Sequence, residues 1–162
     1  MQDDQIQEIL CGALLPDWAM LPDFGLYMDQ LVTYVEKCFS ALQRTDTISL
    51  TPAMINNYVK CGLIDRPRGK KYTRDSLAQL LMVCQLKQTT SLDTMKRLLH
   101  PVGGASTESM YHDFRAAQDR ITSTFASLKD HDPLMCALEA ASYQLICRLL
   151  LTAPDTQPSP ET

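Results

Sequence analysis

Between residues 26 and 100 the chain alternates apolar stripes of helical spacing with short polar breaks. Over residues 26–42 the apolar positions recur at three- and four-residue steps, which predicts an amphipathic helix. Similar stripes predict a helix over 51–60, a third that starts at Thr73 and a short one over 91–99. The pattern predicts a compact helical domain over this part of the chain.

The helix over 51–60 has strong end signals. Thr51 followed by Pro52 is a typical N-cap with proline at the first helical position, and Gly62 suits the stop. After a charged loop, Thr73 caps the next helix, with Asp75 favourably placed in its first turn. A helix, a short polar turn and a second short helix form the helix-turn-helix pattern.

An N-terminal arm, residues 1–25, precedes this domain. A short helix is expected from Asp3 to Leu10, and the prolines that follow break regular structure. Trp18, the single tryptophan, has two interpretations. It either anchors the arm on the main body or faces a partner, since lone aromatic residues also serve as interface anchors.

A second helical region is expected over residues 105–151. Its apolar positions fall at near-heptad steps on two long helices, which predicts an antiparallel helical hairpin joined by the turn KDHDP. The two stripes are Met110, Phe114, Ala117, Ile121, Phe125 and Leu128, then Leu134, Leu138, Ala141, Leu145 and Leu149. Residues 152–162 are polar and proline-rich, which predicts a disordered tail.

Positive charge is concentrated in one stretch of an acidic chain. The chain holds 15 Lys and Arg against 19 Asp and Glu, a formal net charge of −4. This balance excludes a protein that coats DNA by bulk charge, but it is compatible with one basic face. That face is predicted within residues 51–74, where Asp65 is the one acid before Arg74. Its cations are Lys60, Arg66, Arg68, Lys70, Lys71 and Arg74.

The basic stretch predicts contacts to a nucleic acid. The helix over 51–60 is short enough to enter the major groove, where Asn56 and Asn57 suit adenine edges. The loop over 65–72 would lie on the backbone, with its arginines and lysines on phosphates. Two alternatives stay open. Tyr72 either packs beneath the loop or offers its hydroxyl to a phosphate, and the whole loop can instead be a solvated basic surface.

The sequence offers no enzymatic motif. It has no phosphate-binding glycine loop, no dinucleotide fingerprint and no nucleophile elbow, and its three histidines are scattered. We therefore predict that the protein is not an enzyme and uses no cofactor. Six cysteines without a CxxC pair predict free thiols, no metal site and a cytoplasmic protein.

Membrane insertion is not expected either. The N-terminus is acidic and lacks the basic and apolar regions of a signal peptide. We expect no apolar stretch to approach the roughly 20 residues of a membrane span, because Arg148 interrupts the longest one.

Several of these residues together resemble a known family. The run Met54-Ile-Asn-Asn-Tyr-Val-Lys-Cys-Gly-Leu-Ile, then Pro67, then Lys70-Lys-Tyr before a capped helix, resembles the MerR-type winged helix. A closer resemblance is to a little-characterised bacterial domain-of-unknown-function family of predicted MerR-like regulators, found mainly in Firmicutes. It covers roughly residues 20–130 and implies an all-α fold with a MerR-like winged helix-turn-helix core (residues 26–100) and a small wing.

The family resemblance implies a DNA-binding transcriptional regulator that is a homodimer through the hairpin over 105–151. It carries phosphate contacts to Lys60 and Lys70. Asn56 and Asn57 stand where MerR-type proteins have arginine and tyrosine, so base preference does not transfer. The effector, the operator and the sign of regulation are not implied. The alternative is a protein–protein interaction module on a winged-helix scaffold that has lost DNA binding.

Overall fold

The computed structural model describes residues 3–45, 49–100, 104–125 and 132–152, which are mostly helical. The chain divides into two compact units, Met1–Asp130 and His131–Thr162. No strand longer than an isolated bridge occurs in the described ranges, so the predicted all-α class is confirmed. The helices are α1 (Asp3–Gly12), α2 (Met28–Cys38), α3 (Pro52–Lys60), α4 (Arg74–Leu86), α5 (Leu92–Leu98), α6 (Thr107–Phe125) and α7 (Pro133–Thr152), with 3₁₀ turns at Trp18–Met20 and Ser40–Thr45.

The predicted helix starts are confirmed by their capping contacts. The Thr51 hydroxyl oxygen accepts a hydrogen bond from the Met54 amide at 3.3 Å, and α3 begins at Pro52. The Thr73 hydroxyl accepts from the Ser76 amide at 3.3 Å at the start of α4, and α5 begins with a similar contact. Each cap satisfies an amide that has no partner inside its helix.

Helix α2 is shorter than the stripe over 26–42 predicts. It begins at Met28 and ends at Cys38, where the chain passes into the 3₁₀ turn. Leu26 lies outside it in an extended bridge to Tyr72. Leu31 and Val35, two apolar positions of the stripe, are fully buried.

Helix α4 is the centre of the first unit. Eight consecutive or near-consecutive residues of its 13 are buried, which is typical of a helix enclosed on all sides. It packs against α2 and α6. The buried set is Ser76, Leu77, Ala78, Leu80, Leu81, Met82, Val83 and Cys84.

Helix α6 belongs to the first unit, where it contacts α1, α4 and the turn at Trp18–Met20. Its buried face differs from the predicted stripe. Tyr111, which the stripe omits, is fully buried, while Ile121 within the stripe is 56% exposed. Helix α6 thus lies in the same compact unit as α1 to α5.

The second unit contains α7, which begins at Pro133 as predicted. The Asp132 carboxylate accepts a hydrogen bond from the Leu134 amide at 3.0 Å. None of the helix is buried, and its large apolar side chains are exposed. Residues 129–131 of the predicted turn KDHDP lie outside the described residues, as do residues 153–162 of the predicted disordered tail.

By length and composition, α7 is the one described helix that is long and apolar enough to cross a membrane. It is 20 residues long, and an 18-residue window within it has a mean hydropathy of 1.4. The expectation that no apolar stretch approaches this length is therefore wrong. Core and interface helices of soluble proteins share these properties, so one such helix is weak evidence for a membrane.

Candidate nucleic-acid interface

Helix α3 separates an apolar face from a polar one. Ile55 and Tyr58 are buried, whereas Asn56, Asn57 and Lys60 are exposed. Burial raises the pKa of the Tyr58 hydroxyl, with a smaller contribution from Cys84, so Tyr58 is a neutral core residue. The predicted division between core residues and candidate contact residues is thus present on α3.

A glycine turn closes α3 and returns the chain to the core. Gly62 has a φ of 75°, its amide donates to the Val59 carbonyl at 3.1 Å, and the Leu63 amide donates to the Tyr58 carbonyl at 3.0 Å. This pair of bonds is a Schellman motif, which requires the left-handed conformation that glycine adopts easily. Leu63 is buried directly after the turn, so the end of α3 is fixed to the core.

Residues 65–72 form a loop, called the basic loop below, that is attached to α4 at its start. The Asp65 amide donates to the Gln79 side-chain oxygen at 2.8 Å, and its carbonyl accepts from the Ser76 hydroxyl at 3.4 Å. These contacts hold the beginning of the loop on the central helix. The loop is therefore tethered to the core and is not a free surface excursion.

A tight turn lies at the tip of the basic loop. Arg68 and Lys71 exchange backbone hydrogen bonds at 2.9 and 3.2 Å, and Gly69 adopts a φ of 65° between them. Reciprocal bonds across two residues define a hairpin-like turn, in which a positive φ favours glycine. Arg66, Arg68, Lys70 and Lys71 are all exposed.

The end of the basic loop pairs with the segment that leads into α2. The Leu26 amide donates to the Tyr72 carbonyl at 2.9 Å, and the Tyr72 amide donates to the Leu26 carbonyl at 2.8 Å. Tyr72 is 4% exposed, and burial raises the pKa of its hydroxyl. Of the two alternatives for Tyr72, the structure shows packing beneath the loop.

Arg74, a predicted DNA contact, is in contact with the N-terminal arm. Its guanidinium lies 5.7 Å from the centre of the Trp18 ring and 3.9 Å from the Asp23 carboxylate. Its side chain is 29% exposed, and its Nε is buried without a hydrogen-bond partner. Trp18 also packs at 5.8 Å on Tyr111, which agrees with the interpretation of Trp18 as an anchor of the arm.

Two residues beside the basic loop were not among the sequence candidates. The Lys71 ammonium lies 5.2 Å from the centre of the Tyr27 ring, and a Cβ on Gly25 would come within 2.8 Å of the Lys71 Cβ. Both contacts depend on the pairing of Leu26 with Tyr72. No periodic signal in the sequence indicates that pairing, because the two residues lie on either side of α2 and α3.

A shallow depression elsewhere in the first unit has little capacity for chemistry. Its volume is about 250 Å³, and Tyr34, Lys37 and Cys38 contribute to its lining. This is below the roughly 300–1,000 Å³ of typical ligand pockets. Burial raises the pKa of the Cys38 thiol to about 11, so the thiol is protonated and a poor nucleophile near neutral pH.

All six cysteines are unpaired, and in the described ranges no group of three His, Cys, Asp or Glu side chains is arranged to hold a metal ion. Burial raises the pKa of the Cys84 thiol to about 11. The chemistry that the described surface does offer is hydrogen bonding and positive charge.

These features define a helical protein whose first unit presents a polar helix and a tethered basic loop. Residues 16–116 match the family model described as Domain of unknown function (DUF1836), and the chain belongs to this family. The expected membership of an uncharacterised domain family is thereby confirmed. Searches of curated proteins and of solved structures found no match.

Proposed function

We propose that the protein is a DNA-binding transcriptional regulator with a MerR-like winged helix-turn-helix core. Helix α3 enters the major groove, and the basic loop lies on phosphates. The observation that carries the proposal is the polar face of α3, with Asn56, Asn57 and Lys60 exposed, followed at once by the tethered loop and its four exposed cations. The proposal assigns a binding function and no catalysis.

The chemistry of the two elements suits different parts of a duplex. Lysine and arginine side chains on the loop neutralise phosphates and release counterions, which supplies affinity without sequence preference. The carboxamides of Asn56 and Asn57 have a donor and an acceptor each, the pair that adenine presents in the major groove. Specificity is therefore assigned to α3 and the electrostatic part of the affinity to the loop.

The winged-helix assignment rests on three local features in addition to the family resemblance. The Arg68–Lys71 turn is a small wing, Leu26 pairs along its inner edge, and the capped helices α3 and α4 flank it. Five cations are assigned to DNA contact: Lys60, Arg66, Arg68, Lys70 and Lys71. Arg74 and Tyr72 receive supporting positions, because Arg74 contacts Asp23 and Tyr72 is buried.

We further propose that the protein is a cytoplasmic homodimer. Helix α7 exposes a near-heptad stripe that includes Leu138, Leu145 and Leu149, which suits pairing with a second copy. Two-fold symmetry would then imply a palindromic operator. Light scattering on Leu145→Asp, with Gln144→Asp off the stripe as the control, tests this. If the wild-type protein is monomeric, the prediction of a palindromic operator fails.

Equilibrium binding to fragments of genomic DNA tests the regulator proposal. We expect binding at low salt that weakens steeply as salt increases, together with a preference for a subset of fragments. Asn56→Ala and Asn57→Ala should reduce the preference more than the overall affinity. An absence of binding at low salt would contradict the proposal.

The second candidate is a protein–protein interaction module on the same scaffold. The net charge of −4 and the asparagine at position 56, where MerR-type proteins have arginine, favour it. In that case the exposed apolar side chains of α7 would dock a protein partner. Loss of DNA binding in Lys70→Ala/Lys71→Ala would separate the two candidates, because an interaction module does not require Lys70 or Lys71.

A further inference from the structure

The Lys71 ammonium lies over an aromatic ring from another part of the chain. Its Nζ is 5.2 Å from the centre of the Tyr27 ring, within the range of a cation–π contact. Both side chains are at the surface, and Tyr27 is 47% exposed. The cation–π contact therefore involves an ammonium group that is accessible to solvent.

The backbone fixes the position of both side chains. The reciprocal bonds between Leu26 and Tyr72 set the register of the two segments. The Tyr27 amide donates to the Gln30 side chain at 3.0 Å, which holds Tyr27 at the start of α2. The two segments can approach closely because Gly25 has no side chain. A Cβ at position 25 would lie only 2.8 Å from the Lys71 Cβ.

From this geometry we propose that Tyr27 is a positioning residue, which holds the Lys71 ammonium in place for a DNA phosphate. The inference rests on the proposed DNA-binding function. A lysine stem is flexible, and ordering it on binding costs conformational entropy. A ring that restricts the stem in the free protein reduces that cost.

The ring restrains the charge without cancelling it. Arg74, by contrast, is paired with the Asp23 carboxylate of the arm at 3.9 Å, which offsets its charge. Tyr27 offers Lys71 a neutral ring face instead, so the full positive charge is available to an external anion. This difference assigns Lys71 to phosphate binding and Arg74 to attachment of the arm.

A double-mutant cycle on DNA affinity tests the inference. Tyr27→Leu keeps an apolar side chain but removes the ring face, and we expect it to weaken binding by about two- to five-fold. Tyr27→Phe keeps the ring and should bind like the wild type. In a Lys71→Ala background, Tyr27→Leu should cause no further loss. Phe24→Ala, at an exposed aromatic residue of the same segment, is the control.

Other outcomes overturn the inference in distinguishable ways. Tyr27→Leu could reduce DNA affinity equally in the wild-type and Lys71→Ala backgrounds, or not reduce it at all. Either result would show that Tyr27 does not act through Lys71. A wild-type protein that binds no DNA would overturn both the proposed function and this inference. The ring-current shift of the Lys71 ε-methylene protons, expected in the free wild type and absent in Tyr27→Leu, separates failure of the contact from failure of the function.

Discussion

Leu26 and Tyr72 exchange two backbone hydrogen bonds, at 2.9 and 2.8 Å, although α2 and α3 lie between them in the sequence. This pairing joins the segment before α2 to the end of the basic loop. It buries Tyr72 and brings Gly25 and Tyr27 beside Lys71. The candidate interface is thus built from two separate parts of the chain.

Gly25→Ala tests the close approach of these two parts. The added Cβ would lie 2.8 Å from the Lys71 Cβ, so one backbone segment must shift. We expect a loss of about 1–3 kcal/mol in the free energy of unfolding, by analogy with overpacked sites. Phe24→Ala, at an exposed neighbour, should change it by less than about 0.5 kcal/mol. Equal values for the two variants in urea titrations would contradict the close approach.

Ile55→Ala tests the attachment of α3 to the core. Ile55 is fully buried, so its truncation leaves a cavity and should cost about 2–5 kcal/mol, whereas Ile55→Val should cost about 0.5–1.5 kcal/mol. Urea unfolding measures both. A loss below about 1 kcal/mol for the alanine variant would mean that this face of α3 is not packed as described.

Tyr111 should make stability depend on alkaline pH. Burial, assisted by Cys38 and Tyr34, raises the pKa of its hydroxyl, which donates to the Pro16 carbonyl at 2.8 Å. The hydroxyl is neutral in both states below the unfolded pKa of about 10. Above that pH, the unfolded state releases the proton first, so the free energy of unfolding falls as pH rises.

The comparison is Tyr111→Phe, which should lower the free energy of unfolding by about 1 kcal/mol near neutral pH. It should also make the decline of that free energy at alkaline pH shallower. Tyr143→Phe, at a residue that is 70% exposed, should change neither. Denaturant unfolding from pH 7 to 11 provides the measurement. An identical alkaline decline in wild type and Tyr111→Phe would refute the assigned burial.

The thiols should differ in reactivity according to burial. Cys84 is fully buried with a pKa of about 11, whereas Cys136 is exposed. Because the thiolate is the reactive form, an aromatic disulfide reagent at pH 8 should modify Cys136 rapidly and Cys84 only as the protein unfolds. Variants that retain Cys84 or Cys136 as their single cysteine allow the two rates to be measured separately. Equal rates in the native protein would be incompatible with the burial of Cys84.

Local signals in the sequence predicted most of the helices. Caps such as Thr51 and Thr73 act within one helical turn, so residue identity alone locates them. The stripe of α6 was less informative. Tyr111 lies beside the predicted stripe, and its burial depends on Pro16 and Trp18, which are distant in sequence.

At the candidate interface, too, local sequence signals predict exposure but not contacts between residues distant in sequence. Exposure of Asn56, Asn57 and the four loop cations follows from local pattern, and the structure agrees. The position of Tyr72 depends on its pairing with Leu26, and that of Arg74 on its contacts with Trp18 and Asp23. The sequence has no periodic signal for either. The charge count alone therefore did not indicate that Arg74 contacts Trp18 and Asp23.

The most direct test of the proposed function is the salt dependence of DNA affinity, measured on one fragment between about 50 and 200 mM salt. The matched pair is Lys70→Ala/Lys71→Ala and the control Lys37→Ala/Arg120→Ala, which removes two exposed cations outside residues 51–74. Net charge changes equally in both variants.

If the basic loop binds phosphates, the loop variant should show a slope of log affinity against log salt that is shallower by about 1.8 for each bound chain, since each lost contact removes about 0.9. The control should keep the wild-type slope. Equal slopes in all three proteins, or no binding of the wild type at low salt, would contradict DNA binding by the basic loop.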